Sequence, residues 1–297
     1  MDYSIILNYL NYCRIHKRLS EHSIRAYRID LKQFYDFRNS NVKDYVDFLS
    51  STTKKTSTLK RKIASLKSFY RYLEEQELIS ENPFYKMRFQ FRVEKNLPKI
   101  IPSFDLEAIY DYLYEEKANA GTPFRIEKSS RNLLITELLI STGLRISELC
   151  HITIEDIDVP NRTIKILGKG KKERVTYLGN DHTYTLLLNY IAQYRTNNSG
   201  FLFLGHNRHD NLSEQSVRLL FKSVCQKIDL NKSVTPHMFR HTFATMLLDN
   251  NVDTRHIQQI LGHSSITVTQ IYTHVSQTKQ QEILTHHNPI NSLSIKR

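Results

Sequence analysis

The run TPHMFRHTFATMLL, which starts at Thr235, brings together three polar side chains that could bind an anion. His237, Arg240 and His241 stand at positions i, i+3 and i+4, so they share one side of a helix. They also fall in its first turns, where free backbone N–H groups and the helix dipole favour a negative charge. We expect them on the flank roughly opposite the apolar residues of the same run, Phe239, Phe243, Met246 and Leu247. An anion site, a solvated polar face and a metal site on the two histidines are the interpretations that this spacing leaves open.

Three further runs carry candidate residues, each with an ordinary alternative. In STGLRISEL, Arg145 follows a glycine break and Glu148 lies one turn later, a pair that is also typical of a weak surface salt bridge. In LGKGKKERV, Lys169 lies at the tip of a predicted β-hairpin, where a basic turn could serve solubility alone. In HSSITVTQIYTHV, His263 follows the glycine that ends the predicted helix RHIQQIL, and Tyr272 comes nine residues after it.

Tyr272 lies in a stretch whose periodicity and composition disagree. Val268, Ile271, Tyr272 and Val275 form the apolar stripe of a helix. Yet seven of the ten residues from Ile266 to Val275 are β-branched, which favours a strand. Periodicity alone therefore predicts a core tyrosine. A helix made of such poor helix formers would depend on packing and could shift or unravel at low cost.

The elements that must position these residues are mainly helices. Residues 1–84 predict a helical bundle, and residues 85–102 predict an extended basic linker. Residues 103–297 predict a mostly helical, mixed α/β domain in which TIKIL and ERVTYLG form strands around the GKGKK turn. We expect a polar loop at residues 117–130 and a helix from Asn132 to Ile140. The predicted fold is mainly α with a small β-hairpin or sheet, divided into two domains.

The charge distribution favours a polyanionic partner for the N-terminal third. The net charge is +12, and residues 1–100 hold 20 Lys and Arg against 11 Asp and Glu. A basic surface kept for solubility is the alternative, but this asymmetry is typical of nucleic-acid binding. The candidate DNA-contacting residues cluster at the start of the fourth predicted helix and in the linker: Lys54, Lys55, Lys60, Arg61, Lys62, Lys67, Arg88 and Arg92.

Several classes of protein do not fit the sequence. It has no apolar run long enough to span a bilayer, and its amphipathic N-terminus, with an acid at position 2, is unlike a signal peptide. The three cysteines, Cys13, Cys150 and Cys225, are scattered and form no CxxC pair, which predicts reduced thiols. We expect a soluble, cytoplasmic protein.

Taken together, the candidate runs resemble the tyrosine recombinase (phage integrase) family, and most closely its Xer branch. The matching runs are TGLRISEL, LGKGKKERV with the LG that follows, TPHMFRHTFAT and ILGHSSITVTQIYTHV. They occur in the family's order across residues 142–275, and HxxRH followed by LGH and then a tyrosine is a specific combination. The resemblance implies an N-terminal core-DNA-binding domain and a C-terminal catalytic domain.

The resemblance also implies a reaction. The Tyr272 hydroxyl would attack a DNA phosphodiester, forming a 3′-phosphotyrosyl link and releasing a 5′-hydroxyl, without ATP or a metal ion. Arg145 and Arg240 would hold the phosphoryl oxygens, and His263 would donate to one of them. His237 would accept the tyrosine proton, and Lys169 would protonate the departing 5′-oxygen. The family pattern gives Glu148 an orienting role and leaves His241 to support or pack against the site.

The implied partners are double-stranded DNA with paired half-sites and further copies of the chain, in a tetramer at the nucleoid. A related recombinase or an accessory protein could join them, and no membrane is involved. Relatives pass a C-terminal helix to a neighbouring protomer, which makes residues 276–297 the candidate exchange segment, with its helix near Gln280 to Leu284. A frayed terminus is the alternative for this segment.

Two other functions and two biological roles remain open at this stage. The chain could be a DNA-binding protein that keeps the fold without catalysis, or a metal-dependent hydrolase built on His237, His241 and His263. As a recombinase, it could resolve chromosome or plasmid dimers, or it could integrate and excise a mobile element.

Overall fold

Helices make up most of the computed structural model, which describes residues 2–37, 41–89, 91, 99–168, 173–195, 200–262 and 281–294. The prediction of a mainly α fold with one small sheet is confirmed. The chain divides into two compact units, Met1–Asn96 and Leu97–Arg297, and the division falls within the predicted linker range. None of the helices in the described ranges is long and apolar enough to cross a membrane.

The described residues of the N-terminal unit form a bundle of four helices. They are α1 (Tyr3–Ile15), α2 (Glu21–Asp36), α3 (Val42–Thr52) and α4 (Thr56–Glu75), followed by a short 3₁₀ turn, Pro83–Lys86. Ser20 caps α2 by accepting from the Ser23 backbone N–H at 3.3 Å, because a serine before the first turn satisfies a donor that lacks a helical partner. The apolar faces meet in a core that includes Tyr9, Leu31 and Phe69, each fully buried.

The described part of the C-terminal unit is built from helices and a three-stranded sheet. Its helices are α5 (Ser103–Ala118), α6 (Pro123–Thr142), α7 (Ile146–Cys150), α8 (Asp181–Tyr194), α9 (Glu214–Lys227), α10 (Pro236–Asp249) and α11 (Thr254–Leu261). Short 3₁₀ turns span Ile154–Asp156 and Pro289–Ser292, and residues 281–286 are also helical. Helix α6 is buried on all sides from residue 132 to residue 142, so the other elements pack around it.

The prediction of a long polar loop at residues 117–130 is wrong. Helix α5 continues to Ala118, and α6 begins at Pro123, twenty residues long rather than the nine from Asn132 to Ile140. Thr122 caps α6 by accepting from the Arg125 backbone N–H at 3.3 Å, and Pro123 fits the first helical position, where no N–H is needed. Arg125 and Lys128, two of the polar residues that suggested a loop, are exposed on the first turns of α6.

The three strands, β1 (Ile157–Asp158), β2 (Thr163–Leu167) and β3 (Glu173–Tyr177), form an antiparallel sheet in the order β1-β2-β3. The register pairs Ile164 with Thr176 and Ile166 with Arg174. Ile164, Ile166 and Thr176 are buried, so one face of the hairpin packs inward. Since side chains alternate along a strand, Arg174 lies on this inward face.

Two glycines end helices at the positions where the candidate site begins. Gly143 ends α6 with φ +63°, and Gly262 ends α11 with φ +64°. This left-handed backbone is easily adopted by glycine and costly for other residues. A Cβ on Gly143 would also lie 2.5 Å from Cδ1 of Phe243 and 2.8 Å from Cδ2 of Leu261. The absence of a side chain at position 143 therefore lets α10 and the end of α11 approach α6.

Three Gly→Ala substitutions separate the two reasons for a glycine, a left-handed backbone and close packing that leaves no room for a Cβ. Gly143→Ala should lower the free energy of unfolding of the C-terminal unit by about 2–4 kcal/mol, through backbone strain and overpacking together. Gly200→Ala, at φ +78° with open space around it, should cost only the strain, about 1–2 kcal/mol. Gly121→Ala, which has neither constraint, should cost nothing.

The measurement is hydrogen exchange of the α6 peptides of the full chain in increasing urea. Equal losses for Gly143→Ala and Gly200→Ala would contradict the close approach to Phe243 and Leu261.

Candidate active site

The turn after α6 presents Arg145 and Glu148 as a pair. Arg145 is the residue before the first turn of α7, and its backbone N–H donates to Oε2 of Glu148 at 2.9 Å. The Arg145 side chain returns to the same carboxylate, with Nη1 donating to Oε1 at 2.7 Å. Glu148 is almost fully buried, whereas the Arg145 side chain is 32% exposed. The fold therefore fixes one end of this guanidinium and leaves the rest open to a ligand.

Glu148 receives a second arginine from the hairpin. Arg174 on β3 donates from Nη1 to Oε1 and from Nη2 to Oε2, both at 2.9 Å. The carboxylate thus accepts four N–H groups, two from Arg145 and two from Arg174. Burial raises the pKa of Glu148, but the hydrogen bonds and charges of Arg174 and Arg145 outweigh it and hold that pKa at about 2. Glu148 is consequently ionised at neutral pH despite its burial.

Arg240 joins the two helix ends that glycine terminates. Its Nη1 donates to the Gly143 carbonyl at 2.8 Å, and its Nη2 donates to the Leu261 carbonyl at 2.5 Å. These carbonyls lie at the C-termini of α6 and α11, where the helix dipole is negative and a cation is stabilised. The residue is only 7% exposed. Each Nη nitrogen keeps a second hydrogen, and Nε keeps its own, so the group can still donate to a bound anion.

The surroundings of Arg240 concentrate positive charge. Its pKa falls to about 10, first because of burial and then because of repulsion from Arg145, with Glu148 opposing the shift. The group stays protonated at neutral pH. Three guanidiniums and one carboxylate therefore interact here, which gives a net charge of +2 suited to a phosphoryl group.

The two histidines of α10, three residues before Arg240 and one residue after it, are both exposed. The pKa of His241 is lowered by partial burial first, and then by the charges of His237 and Arg240. Among the described residues, no group of three or more His, Cys, Asp or Glu is placed to hold a metal ion. His263, the third residue of the metal alternative, lies outside the described residues.

The expectation that Arg240 lies on a polar flank away from the core is wrong. Arg240 is buried, whereas His237 and His241 face solvent. The physical reason is that two helix C-termini pack against this side of α10, and their carbonyls replace the water that the guanidinium would otherwise need. Met246, expected in the core, is half-buried.

Arg174 is the site residue that sequence reasoning missed, and a signal for it exists. In ERVTY the alternation places Val175 outward, 41% exposed, and the charged Arg174 inward. This inverts the usual pattern of a half-buried strand. An arginine on an inward face needs buried acceptors, and a buried carboxylate is one partner that the inversion indicates.

Three of the predicted catalytic residues, Lys169, His263 and Tyr272, lie outside the described residues, as does the β-branched stretch 266–275. Their roles and the predicted mobility of that stretch remain predictions. The described chain stops at Gly262, immediately before His263, and at Gly168, immediately before Lys169.

The predicted DNA-contacting residues of the N-terminal unit differ in their surroundings. Lys54 and Lys55 are exposed just before α4, and Arg88 is exposed beyond it. The Lys60 ammonium lies 5.5 Å from the Phe91 ring centroid, and that of Lys67 lies 4.6 Å from the Phe89 ring centroid. Aromatic faces can hold such cations without neutralising them.

Two members of this basic group have polar partners within the unit. Arg61 donates to Asp30, a carboxylate that is 1% exposed and also accepts from Ser65 Oγ at 2.8 Å. Arg61 therefore anchors α4 to α2 with part of its guanidinium. Lys62 donates to Gln33 Oε1 at 2.6 Å. Arg92 lies outside the described residues.

Comparison with known proteins places this site in a family. The model of the phage integrase family matches residues 103–279, and that of the phage integrase N-terminal SAM-like domain matches residues 6–77. A tyrosine recombinase of Agathobacter rectalis is 40% identical over 298 residues, covering 96% of both chains. Tyrosine recombinase XerC of Listeria innocua is 31% identical over 300 residues, covering 95% of this chain and 96% of its own. The structure of the XerH site-specific recombinase bound to palindromic difH substrate, a post-cleavage complex, has a TM-score of 0.68 at 23% identity, over 96% of this chain and 84% of that one.

The chain belongs to the phage integrase family, the tyrosine recombinases, enzymes that cleave and religate DNA. The resemblance noted from the sequence motifs is confirmed, and the likeness to XerH supports the same fold.

The low pKa of Glu148 predicts a pH-dependent contribution to stability. A carboxyl whose pKa falls from 4.5 to about 2 on folding stabilises the fold above about pH 4.5 and loses that contribution as the pH falls towards 2. Glu148→Gln should therefore lower the free energy of unfolding by on the order of 3 kcal/mol at pH 7, and this difference should shrink towards pH 2.

Urea denaturation of the full chain at several pH values measures the difference. Glu173→Gln is the control, because Glu173 is an exposed carboxylate on the hairpin that carries Arg174, the partner of Glu148. A Glu148→Gln difference that did not change with pH would contradict an ionised Glu148.

Proposed function

We propose that this chain is a site-specific DNA recombinase in which Tyr272 cuts each strand and the catalytic cluster stabilises the phosphoryl group. The Tyr272 oxygen forms a bond to phosphorus while the P–O5′ bond breaks, which leaves a 3′-phosphotyrosyl link and a free 5′-hydroxyl. The reverse attack by a 5′-hydroxyl of the partner DNA rejoins the strand. Two such rounds pass through a Holliday junction, and no ATP is needed because the bond energy is retained.

The observation that carries this proposal is the cationic cluster of Arg145, Arg174 and Arg240 around Glu148. The transition state places negative charge on the phosphoryl oxygens, and fixed guanidinium donors stabilise such charge. Arginines in this role can contribute about 10³ to 10⁵ in rate in phosphoryl transfer. Arg145, with its exposed portion, and Arg240, with its remaining hydrogens, are the two groups that we assign to the phosphate.

Proton transfer is assigned to three further residues. A tyrosine hydroxyl is a poor nucleophile at neutral pH, because its ordinary pKa is about 10. His237, exposed at the start of α10 near the cluster, accepts its proton. Lys169 delivers a proton to the departing 5′-oxygen, and His263 donates to a phosphoryl oxygen. This scheme has no step for a metal ion, so we expect EDTA to leave cleavage unchanged.

Double-stranded DNA with paired half-sites is the proposed substrate. The exposed Lys54, Lys55 and Arg88 supply charge that can track a phosphate backbone. The full-length similarity to relatives named XerC favours an Xer-like role in resolving chromosome or plasmid dimers over integration of a mobile element. Sequencing the DNA that the protein retains in cells distinguishes dimer-resolution sites from the ends of a mobile element.

We further propose that the protein assembles as a tetramer on DNA by exchanging its C-terminal segment, residues 276–297, of which the structure describes residues 281–294. In the single chain this segment is docked: Leu284 and Ile290 are buried, and Asn288 donates from Nδ2 to the Ser141 carbonyl at 3.2 Å. Asn180 donates to Asn291 Oδ1 at 2.6 Å. A surface that binds the segment so specifically would also accept the identical segment of a neighbouring protomer.

Tyr272→Phe tests the reaction. A half-site DNA with a nick that lets the 5′-fragment diffuse away should trap a covalent protein–DNA adduct, and peptide mapping should place it on Tyr272. Removing the hydroxyl removes the nucleophile, so the Phe variant should trap none while still binding DNA. A covalent adduct formed by Tyr272→Phe would refute the assignment.

Gly179→Ala tests the docking of the C-terminal segment. A Cβ at this position would come within 2.6 Å of the Thr285 backbone nitrogen and would also collide with the Leu284 backbone. This variant should assemble poorly on a full DNA site while binding a single half-site as the wild type does, as measured by native gel shift. Gly121→Ala, with open space around it, is the control. Unchanged full-site assembly by Gly179→Ala would contradict exchange through this surface.

A further inference from the structure

We propose that Arg174 is a positioning residue for the DNA cleavage reaction, which orients Arg145 by occupying the other side of Glu148. This inference rests on the proposed function, because it concerns the phosphate-binding role of Arg145. Arg174 is not among the motif residues that were given a chemical role above. Within the described part of the chain, it nevertheless makes the only bidentate side-chain contact to Glu148.

The geometry divides the Glu148 carboxylate between two arginines. A carboxylate offers about four lone-pair positions, two on each oxygen. Arg174 fills one on each oxygen with a parallel pair of 2.9 Å bonds, and the Arg145 backbone N–H fills a third. Only one position remains for the Arg145 side chain, which uses Nη1 alone. Arg145 therefore cannot close its whole fork on Glu148, and its other donors stay available for a phosphate.

Charge leads to the same conclusion. An arginine fork prefers a bidentate carboxylate contact, so a Glu148 without Arg174 would attract the complete Arg145 guanidinium. Arg145 would then donate two side-chain hydrogen bonds to Glu148 and turn away from the substrate. Arg174 is 14% exposed and Arg145 is 32% exposed, so the more buried arginine holds the acid and the more exposed one faces outward.

From its place on β3, Arg174 contacts two other parts of the site, Glu148 on α7 and the turn at Gly262. It lies on β3, five residues after Lys169 in the sequence, and it reaches Glu148 on α7. Its Cδ lies only 3.0 Å from the place that a Cβ of Gly262 would occupy, so its stem packs against the turn that precedes His263. A purely structural salt bridge would need only the contact to Glu148.

The test compares two substrates under single turnover. One is the ordinary half-site DNA, and the other carries a methylphosphonate at the scissile position, where a methyl group replaces one charged oxygen. A neutral phosphorus centre needs little help from Arg145. A variant that has lost only the correct placement of Arg145 should therefore recover on this substrate, whereas a variant that is misfolded should not.

We expect Arg174→Gln to form the covalent adduct about 10²-fold more slowly than the wild type on the phosphate substrate, the usual loss for one misplaced anion-stabilising group. On the methylphosphonate it should cleave within about 10-fold of the wild type, since only transition-state charge stabilisation was lost. Arg174→Lys keeps the charge but not the two-pronged guanidinium. On the phosphate substrate its rate of adduct formation should lie between those of the wild type and Arg174→Gln. Lys165→Gln is the control, because it removes a cation from the exposed side of the same hairpin, and it should match the wild type on both substrates.

Two results would overturn the proposal: a wild-type rate for Arg174→Gln on the phosphate substrate, or an equal loss on both substrates. Failure of the proposed function would look different, because the wild-type protein itself would then form no covalent adduct with either DNA.

Discussion

The C-terminal unit must hold three guanidiniums close to one buried carboxylate, and the rest of its structure depends on this constraint. Like charges repel strongly where water is excluded, and each desolvated cation needs a fixed partner. The fold supplies two kinds of partner for these cations. Arg145 and Arg174 share the Glu148 carboxylate, and Arg240 binds the C-terminal carbonyls of α6 and α11. The first kind neutralises charge, and the second solvates it without neutralising it. The cluster therefore keeps a net positive charge for a phosphoryl group.

The glycine turns follow from this constraint. Arg240 can reach both carbonyls only if α6 and α11 end beside each other, and each helix ends in a left-handed glycine. The same turns come shortly before further candidate residues in the sequence. Gly143 leads to Arg145 two residues later, and Gly262 leads directly to His263. One buried guanidinium thus holds together two helix ends that precede candidate catalytic residues more than a hundred residues apart in the sequence.

The sequence predicted what depends on neighbours along the chain and failed where distant elements meet. Helix periodicity, the TIKIL and ERVTY strands and the Arg145–Glu148 spacing are local, and the structure reproduces them. The burial of Arg240 could not be predicted, because it depends on helix ends brought in from elsewhere. Arg174 was missed because its partner, Glu148, lies on a different element. The error at residues 117–130 is different: the Thr122-Pro123 cap was readable, but the polar solvent face of a helix was mistaken for a loop.

Strand β3 contacts the described residues on both sides of the range 263–280, which contains Tyr272. These contacts limit what exchange of the C-terminal segment can change. At one end, Arg174 packs against the Gly262 turn. At the other, the Tyr177 hydroxyl accepts from Gln281 Nε2 at 3.0 Å. If the C-terminal segment moves to a neighbour, the contact at Gln281 must break, whereas Gly262 remains held by the packing of α11 and by the Arg240 bond to Leu261. Exchange would then break a contact at one flank of the range that contains Tyr272 and leave Arg145, Arg174 and Arg240 in place. A protein that assembles and cleaves as proposed would therefore control when Tyr272 is engaged without rebuilding the rest of the site.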